Sequence, residues 1–144
     1  MLRMQIGIVF LALVLTGEVA AAEELAVIVN VGNATSRLDA KEVKARFLKT
    51  LSTWGNGDRV RPVDQSDATG KRAAFLGKVL GMSPTELERY WIEKQYANAE
   101  TPPAKAPDDA TVIRIVKTFK GAIGFVSKEA AEREGVKVVL IVEY

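Results

Sequence analysis

The stretch Val60-Arg-Pro-Val-Asp-Gln-Ser-Asp-Ala-Thr-Gly-Lys-Arg-Ala-Ala-Phe-Leu-Gly-Lys-Val-Leu80 predicts a strand that leads through a polar turn into a helix. Residues 60–64 alternate between apolar and polar side chains, which is typical of a half-buried strand, and Pro62 favours a strand end or a sheet edge. A helix is predicted from about Ala68, because apolar side chains recur at helical spacing over residues 75–80. This strand–turn–helix unit sets the pattern for the rest of the chain.

Hydroxyls and cations cluster where this helix is predicted to begin. The residues concerned are Ser66, Thr69, Gly70, Lys71 and Arg72. A helix start carries unpaired backbone N–H groups and the positive end of the helix dipole, so it is a natural seat for an anion. Helix starts usually favour acidic residues, so two cations in the first turn run against the dipole preference. These two cations are the sequence signal for an oxyanion site.

A structural explanation of the same turn stays open. Asp67 can cap the helix and pair with Lys71 four residues later, and caps of this kind occur in most domains. Residue chemistry alone favours the cap over the anion site. Asp67 would also repel a bound anion if its side chain faced the site.

The elements before and after this unit alternate between strand and helix. A β-branched run over residues 25–31 predicts a strand buried on both faces. Asp39 is placed to cap a helix whose buried face is Val43, Phe47 and Leu51. Trp54 is predicted to pack as a lid over the core rather than to serve as a platform for a ligand.

The second half continues the alternation. A helix is predicted over residues 84–97, with Ser83 as its N-cap and Leu87, Tyr90, Trp91 and Tyr96 as core candidates. Residues 98–109 are predicted to be a surface loop, and a helix with the apolar stripe Val112, Ile115, Val116 and Phe119 follows. Strands are predicted at 122–126 and 136–142.

The order of these elements predicts an α/β fold, a three-layer sandwich with a mostly parallel, mixed sheet. In such sheets, ligands bind at the carboxyl ends of the strands. The loop after Val31 and the turn after Asp64 are therefore expected at one end of the sheet. This would bring Asn33, Thr35 and Ser36 close to Ser66.

The N-terminal segment predicts export. Arg3 is followed by ten apolar residues over 6–15 and by Ala20-Ala-Ala22, which is typical of a cleavable signal peptide over residues 1–22. Ten apolar residues are too few to span a bilayer as a helix. Residues 23–144 are then one periplasmic domain. The alternative is an uncleaved N-terminal anchor.

Composition excludes several functions. The 144 residues contain no Cys and no His, which removes disulfides, thiol and histidine-based nucleophilic catalysis and most zinc sites. The net charge of +2 and the lack of a basic tract interleaved with aromatics argue against nucleic acid as a partner. No carboxylate pair has a spacing that specifies acid–base catalysis. We therefore expect neither an enzyme nor a cofactor.

Several motifs together resemble a known family. They are Val27-Ile-Val-Asn30, Phe47 with Leu48, Trp54 with Gly57, residues 60–64, Ser66 with Arg72 and Phe75, Val79-Leu-Gly81, Tyr90-Trp91 and Gly121-Ala-Ile-Gly-Phe-Val126. In this order they are similar to short, single-lobe relatives of the periplasmic phosphate-binding proteins of ABC transporters. The resemblance covers nearly all of residues 23–144.

The resemblance implies a lobe of the type II periplasmic-binding-protein fold that holds phosphate or a related oxyanion through hydroxyls and backbone N–H groups. Ser66, Thr69, Gly70 and Arg72 match the family's Ser-Gly-Thr turn and the helix that follows it. Asn33, Thr35 and Ser36 match, more loosely, the loop after the first strand, where the larger proteins place a second contact. The alternative function is a ligand-free accessory module that serves a periplasmic or membrane transport or sensor protein.

Overall fold

The computed structural model describes residues 11–17, 22–66 and 70–144, and within them a single sheet organises the fold. The strands are β1 (Glu24–Val29), β2 (Arg61–Gln65), β3 (Ala104–Ala106), β4 (Ala122–Ser127) and β5 (Lys137–Glu143). The helices are α1 (Ala40–Phe47), α2 (Lys71–Phe75), α3 (Pro84–Asn98), α4 (Asp109–Thr118) and α5 (Lys128–Arg133). A π-helical segment, Leu76–Leu80, continues α2. None of the helices within the described ranges has the length and apolarity needed to cross a membrane.

The sheet is mixed, with the strand order β3-β2-β4-β1-β5. Strands β3 and β4 both run parallel to β2, whereas β1 runs antiparallel to its neighbours β4 and β5. We call the end of the sheet where β2, β3 and β4 finish the carboxyl end, and the opposite end the amino end. Because β1 is reversed, it begins at the carboxyl end and finishes at the amino end.

Helices cover both faces of the sheet, as predicted. Residues 25–29 of β1 are all fully buried. Their side chains alternate between two hydrophobic clusters, because successive residues of a strand point to opposite faces. One cluster lies under α1, α2 and α3, and the other lies under α4 and α5. The predicted α/β three-layer sandwich with a mixed sheet is confirmed.

The predicted caps begin the long helices. The Asp39 carboxylate accepts from the backbone N–H of Glu42, and Glu42 in turn accepts from the N–H of Asp39, which completes a capping box on α1. Ser83 caps α3 with Pro84 at the first helical position, and Gly81 ends the preceding helix in a left-handed conformation with φ 63°.

Two close approaches position β2 and β4. The indole N–H of Trp54 donates to the carbonyl of Gly121 at 2.9 Å, so this tryptophan is a packed core residue as predicted. A Cβ atom at Gly124 would lie 2.5 Å from a methyl group of Val112. Only glycine lets α4 pack this closely on the sheet.

Several core and loop predictions were wrong. Phe119 is 41% exposed because α4 ends at Thr118, before the apolar stripe reaches it. Leu51 lies beyond the end of α1 and is 40% exposed, and Tyr96 is 89% exposed on the outer face of α3. The predicted surface loop contains the short strand β3, which adds to the edge of β2. Three residues between prolines carry too little periodicity to indicate a strand.

Candidate functional site at the carboxyl end of the sheet

The predicted oxyanion turn lies where β2 ends and α2 begins. Ser66 and Gly70 are both exposed there, and Gly70 precedes the helix with a φ of 94°, a conformation that glycine adopts without strain. Helix α2 begins at Lys71, three residues later than predicted. Thr69, together with Asp67 and Ala68, falls outside the described residues, so its predicted role stays a prediction.

Arg72 is engaged by the carboxylate of Asp64, the fourth residue of β2. Its Nε lies 3.1 and 3.2 Å from the two carboxylate oxygens, and its Nη2 lies 3.0 Å from Oδ2. This is a bidentate pair, the strongest form of arginine–carboxylate contact. Asp64 is only 9% exposed, so it needs this cation to offset the cost of its burial. Much of the positive charge that the sequence offers to an anion is therefore already compensated.

Lys71 is also paired with a carboxylate, and its side chain is more buried than that of Arg72. This residue is 8% exposed, and its Nζ lies 2.8 Å from Oδ1 of Asp109 and 3.2 Å from the side-chain oxygen of Gln65. The amide nitrogen of Gln65 donates to the same Asp109 oxygen at 2.9 Å and to the carbonyl of Phe125 at 3.2 Å. The network ties α2, β2, β4 and α4 together at the carboxyl end.

Asp109 is the hub of this network. Its second oxygen accepts from the hydroxyl and the backbone N–H of Ser127 at 2.8 and 3.2 Å. Burial would raise the pKa of the Asp109 carboxyl, but the hydrogen bonds from Lys71, Gln65 and Ser127 outweigh burial and hold that pKa below its ordinary value. The carboxylate is thus kept charged opposite Lys71.

Sequence reasoning missed the network formed by Gln65, Asp109 and Ser127. Two aspartates, Asp108 and Asp109, stand side by side where α4 begins, and the structure assigns the cap to Asp108, whose carboxylate accepts from the N–H of Thr111. The sequence signal that could have revealed the network was Asp109, because the cap needs only one of the two aspartates. Its partner could not be inferred, because Lys71 lies 38 residues away in the chain.

A cavity of about 640 Å³ opens beside the Lys71–Asp109 pair. The charged residues that line it are Lys71, Lys128, Glu23, Glu24, Asp109, Glu129 and Glu132. Carboxylates outnumber the cations here, and Lys128 is itself paired with Glu24 at 2.8 Å. The resulting field disfavours an anion inside this cavity.

A second cavity, of about 600 Å³, lies between α3 and the Asp64–Arg72 pair. Its remaining walls are mostly apolar and include Phe75, Leu87 and Trp91. A small inorganic anion would lose its hydration there without gaining enough polar contacts, so this cavity does not suit phosphate.

The loop after β1 does not join the turn, and the prediction that both lie at one end was wrong. Asn30, directly after β1, donates to the carbonyls of Val116 and Lys117 at the C-terminus of α4, which is at the amino end of the sheet. The turn at Ser66 is at the carboxyl end, because β2 runs antiparallel to β1. The rule that loops after strands share one end holds only for parallel strands.

The three residues of this loop have local roles. Asn33 is buried, and its side chain accepts from the N–H of Thr35 at 2.9 Å, which closes a turn. Thr35 is half-buried and Ser36 is exposed. The structure therefore brings together Ser66, Gly70, Lys71 and Arg72 at the carboxyl end, and separates them from Asn33, Thr35 and Ser36 by the length of the sheet.

The fold is similar to those of solved phosphate-binding proteins. An ABC-type phosphate transport receptor from Vibrio cholerae matches with a TM-score of 0.65 at 18% identity, over 83% of this chain and 46% of the receptor. A putative phosphate ABC transporter substrate-binding protein from Clostridium perfringens, with bound phosphate, matches with a TM-score of 0.64 at 20% identity, over 83% and 45%. PstS from Borrelia burgdorferi matches with a TM-score of 0.62 at 9% identity, over 83% and 48%.

The chain spans less than half the length of these proteins. No protein-family profile and no curated protein matches its sequence. At these identities the likeness is one of fold, and at that level it confirms the resemblance to a single lobe of the phosphate-binding proteins. The matched proteins are named as receptors and binding proteins, not as enzymes.

Proposed function

We propose that this chain is a periplasmic solute-binding-like protein that holds phosphate or a related oxyanion at the turn from Ser66 to Gly70, without catalysis. The observation that carries the proposal is the exposure of Ser66 and Gly70 beside the start of α2, in a fold shared with phosphate receptors. The hydroxyl of Ser66, the turn residue Thr69 and the first N–H groups of α2 would donate to the anion.

The two ion pairs set the strength of binding. A phosphate at the turn competes with Asp64 for Arg72 and with Asp109 for Lys71. An anion at an exposed turn must also offset immobilisation costs of at least about 4 kcal/mol. We therefore expect a dissociation constant between about micromolar and millimolar, equivalent to about −8 to −4 kcal/mol.

Calorimetric titration with phosphate, and with sulfate in parallel, tests the proposal. Replacing Asp64 by Asn releases Arg72 from its competitor, so Asp64→Asn should tighten phosphate binding by about fivefold to tenfold. Ser66→Ala should weaken it. Arg72→Ala is a poorer probe, because it leaves the buried Asp64 carboxylate unpaired and destabilises the fold.

The matched control is Asp58→Asn, which removes the same charge from an exposed turn between α1 and β2. It should leave the affinity unchanged. Absence of heat for the wild type and for Asp64→Asn at millimolar phosphate and sulfate would refute the proposal.

A second candidate function is a ligand-free accessory module of a transport or signalling system. The specific observation in its favour is that Lys71 and Arg72 each have a carboxylate partner within 3.0 Å. In that case the network at the carboxyl end serves stability, and a periplasmic or membrane transport or sensor protein is the partner. The titration separates the two functions, since only a ligand-binding lobe responds to Asp64→Asn.

A further inference from the structure

A groove at the amino end of the sheet carries uncompensated positive charge. It has a volume of about 580 Å³ and lies between the C-terminal end of α1, the start of β2 and the segment before β3. The charged residues that line it are Arg46, Lys49, Arg59, Arg61 and Glu100. We call it the basic groove. It is at the opposite end of the sheet from Ser66 and Lys71, so it is independent of the proposed oxyanion turn.

The cations of the basic groove differ from those of the carboxyl end in their partners. Lys49 lies 3.4 Å from Glu100, the one carboxylate in the groove. Throughout the described ranges, no carboxylate lies within 4.0 Å of Arg46, Arg59 or Arg61. Among the described residues, the guanidinium groups that line this concave surface therefore have no direct carboxylate partner, and Glu100 is the one carboxylate that lines it.

Two of these guanidinium groups are held in place by aromatic rings. Arg46 lies 4.5 Å above the ring of Trp54, and Arg61 lies 4.3 Å above the ring of Phe119. The Nε of Arg46 is buried and its Nη1 donates to the carbonyl of Glu42 at 2.9 Å, so Arg46 adds positive charge to the groove but does not present a free bidentate edge. For Arg61, stacking fixes the plane of the guanidinium group and leaves its N–H edge available, and that edge matches a carboxylate in a bidentate manner.

The groove also offers apolar surface. Phe119 and Leu51 are 41% and 40% exposed, and both line it together with Pro102 and Pro103. An occupant that fits must therefore combine negative charges with at least one apolar group. Inorganic phosphate lacks the apolar part, and a flat membrane surface does not enter a concave groove.

We infer that the basic groove is a docking site for an acidic segment of a partner protein that carries an aromatic or aliphatic side chain among its carboxylates. The carboxylates pair with Arg59 and Arg61, the charge of Arg46 adds to the attraction, and the apolar side chain packs against Phe119 and Leu51. Glu100 competes with the segment for Lys49. The inference does not depend on oxyanion binding at Ser66, because the two sites share no residue.

Fluorescence anisotropy with a labelled peptide of about eight residues, EELEFEEL, tests the inference on the full chain. Arg59→Glu and Arg61→Glu should each weaken binding by about tenfold or more, because reversal turns an attraction into a repulsion. Glu100→Gln should tighten binding by about twofold to threefold. Binding should also weaken as salt is raised.

The matched control is Arg133→Glu, the same charge reversal at an exposed residue of α5 that does not line the groove. It should change the affinity by less than about twofold. Thermal melting of each variant checks that Arg59→Glu and Arg61→Glu are folded.

Two results would overturn the inference. One is peptide binding that is absent, or that Arg133→Glu weakens as much as Arg59→Glu does. The other is Arg59-dependent binding to vesicles that contain phosphatidylglycerol that is tighter than the binding of the peptide, which would make the groove a lipid-headgroup site. A KKLKFKKL peptide, in which every carboxylate is replaced by a cation, should not bind to the groove.

Discussion

At the scale of single residues, the phenylalanines show how burial separates two side chains with the same sequence signal. Phe75 and Phe119 both lie on predicted apolar stripes. Phe75 is 1% exposed, and its ring stacks on Phe125 at 4.1 Å and meets Phe47 edge-on at 4.7 Å. Phe119 follows the last residue of α4, is 41% exposed, and its ring lies under Arg61. The same type of side chain therefore contributes much more to the free energy of unfolding at position 75 than at position 119.

The expected consequence is a large difference between two alanine substitutions. Phe75→Ala should lower the free energy of unfolding by about 3–5 kcal/mol, because it leaves a cavity among stacked rings. Phe119→Ala should cost less than about 1 kcal/mol, since its ring is already partly hydrated. Urea unfolding followed by circular dichroism measures both. Equal costs for the two would show that the placement of α4 or α2 is wrong.

At the scale of elements, Asp109 joins α4 to α2 and β4 through a single carboxylate. Lys71, Gln65 and Ser127 all donate to it. Helix α2 has only five residues and is continued by a π-helical segment, so the network adds order where the helix itself is short. This linkage makes the stability of the carboxyl end depend on pH.

The sign of the pH dependence follows from the lowered pKa of Asp109. A carboxyl whose pKa is lower in the folded state stabilises the fold above its unfolded pKa of about 3.9, and that stabilisation is lost as the pH falls through the folded value. Asp109→Asn should therefore lower the melting temperature at pH 7 and flatten its fall between about pH 5 and pH 2.

Thermal melts of wild type and Asp109→Asn across that pH range test this expectation. Asp58→Asn, at an exposed turn far from the network, is the control and should follow the wild-type curve. Wild type and Asp109→Asn melting along the same curve would mean that the Lys71–Asp109 pair contributes nothing in solution.

At the scale of the whole molecule, the two ends of the sheet differ in electrostatic character. The carboxyl end pairs its cations with Asp64 and Asp109 and surrounds its cavity with acidic residues. The amino end holds the arginines of the basic groove without carboxylate partners in the described parts of the chain. A net charge of only +2 conceals this separation, because opposite patches cancel in the sum.

The predicted export of the protein is also a property of the whole molecule. We expect the exported protein to begin near Glu23, after removal of residues 1–22 as a signal peptide. The carbonyl of Glu23 accepts from the N–H of Tyr144 at 2.8 Å and β1 starts at Glu24, so cleavage there leaves the described sheet intact. Intact-mass measurement on the periplasmic fraction gives the first residue. A protein that retains Met1 in the membrane fraction would favour the anchor instead.

Most elements could be predicted because their signals are local. Helical spacing, the caps at Asp39 and Ser83 and the buried run of β1 depend on residues a few positions apart. The polar turn at Ser66 and Gly70 was also predicted from a local signal, because its residues are close together in the chain. Strand β3 could not be predicted, since three residues have no measurable period.

The sequence by itself determined the order of the elements apart from β3, the three-layer class and the cluster of hydroxyls and cations at the start of α2. Only the tertiary structure decided that β1 is reversed, which removes Asn33, Thr35 and Ser36 from that cluster. Only the tertiary structure brings Asp109 to Lys71 and gathers three arginines at the other end, where no carboxylate of the described residues pairs with them. The physical reason is that hydrophobic periodicity and capping act between near neighbours, whereas strand direction and ion pairing depend on which distant segments the packed core brings into contact.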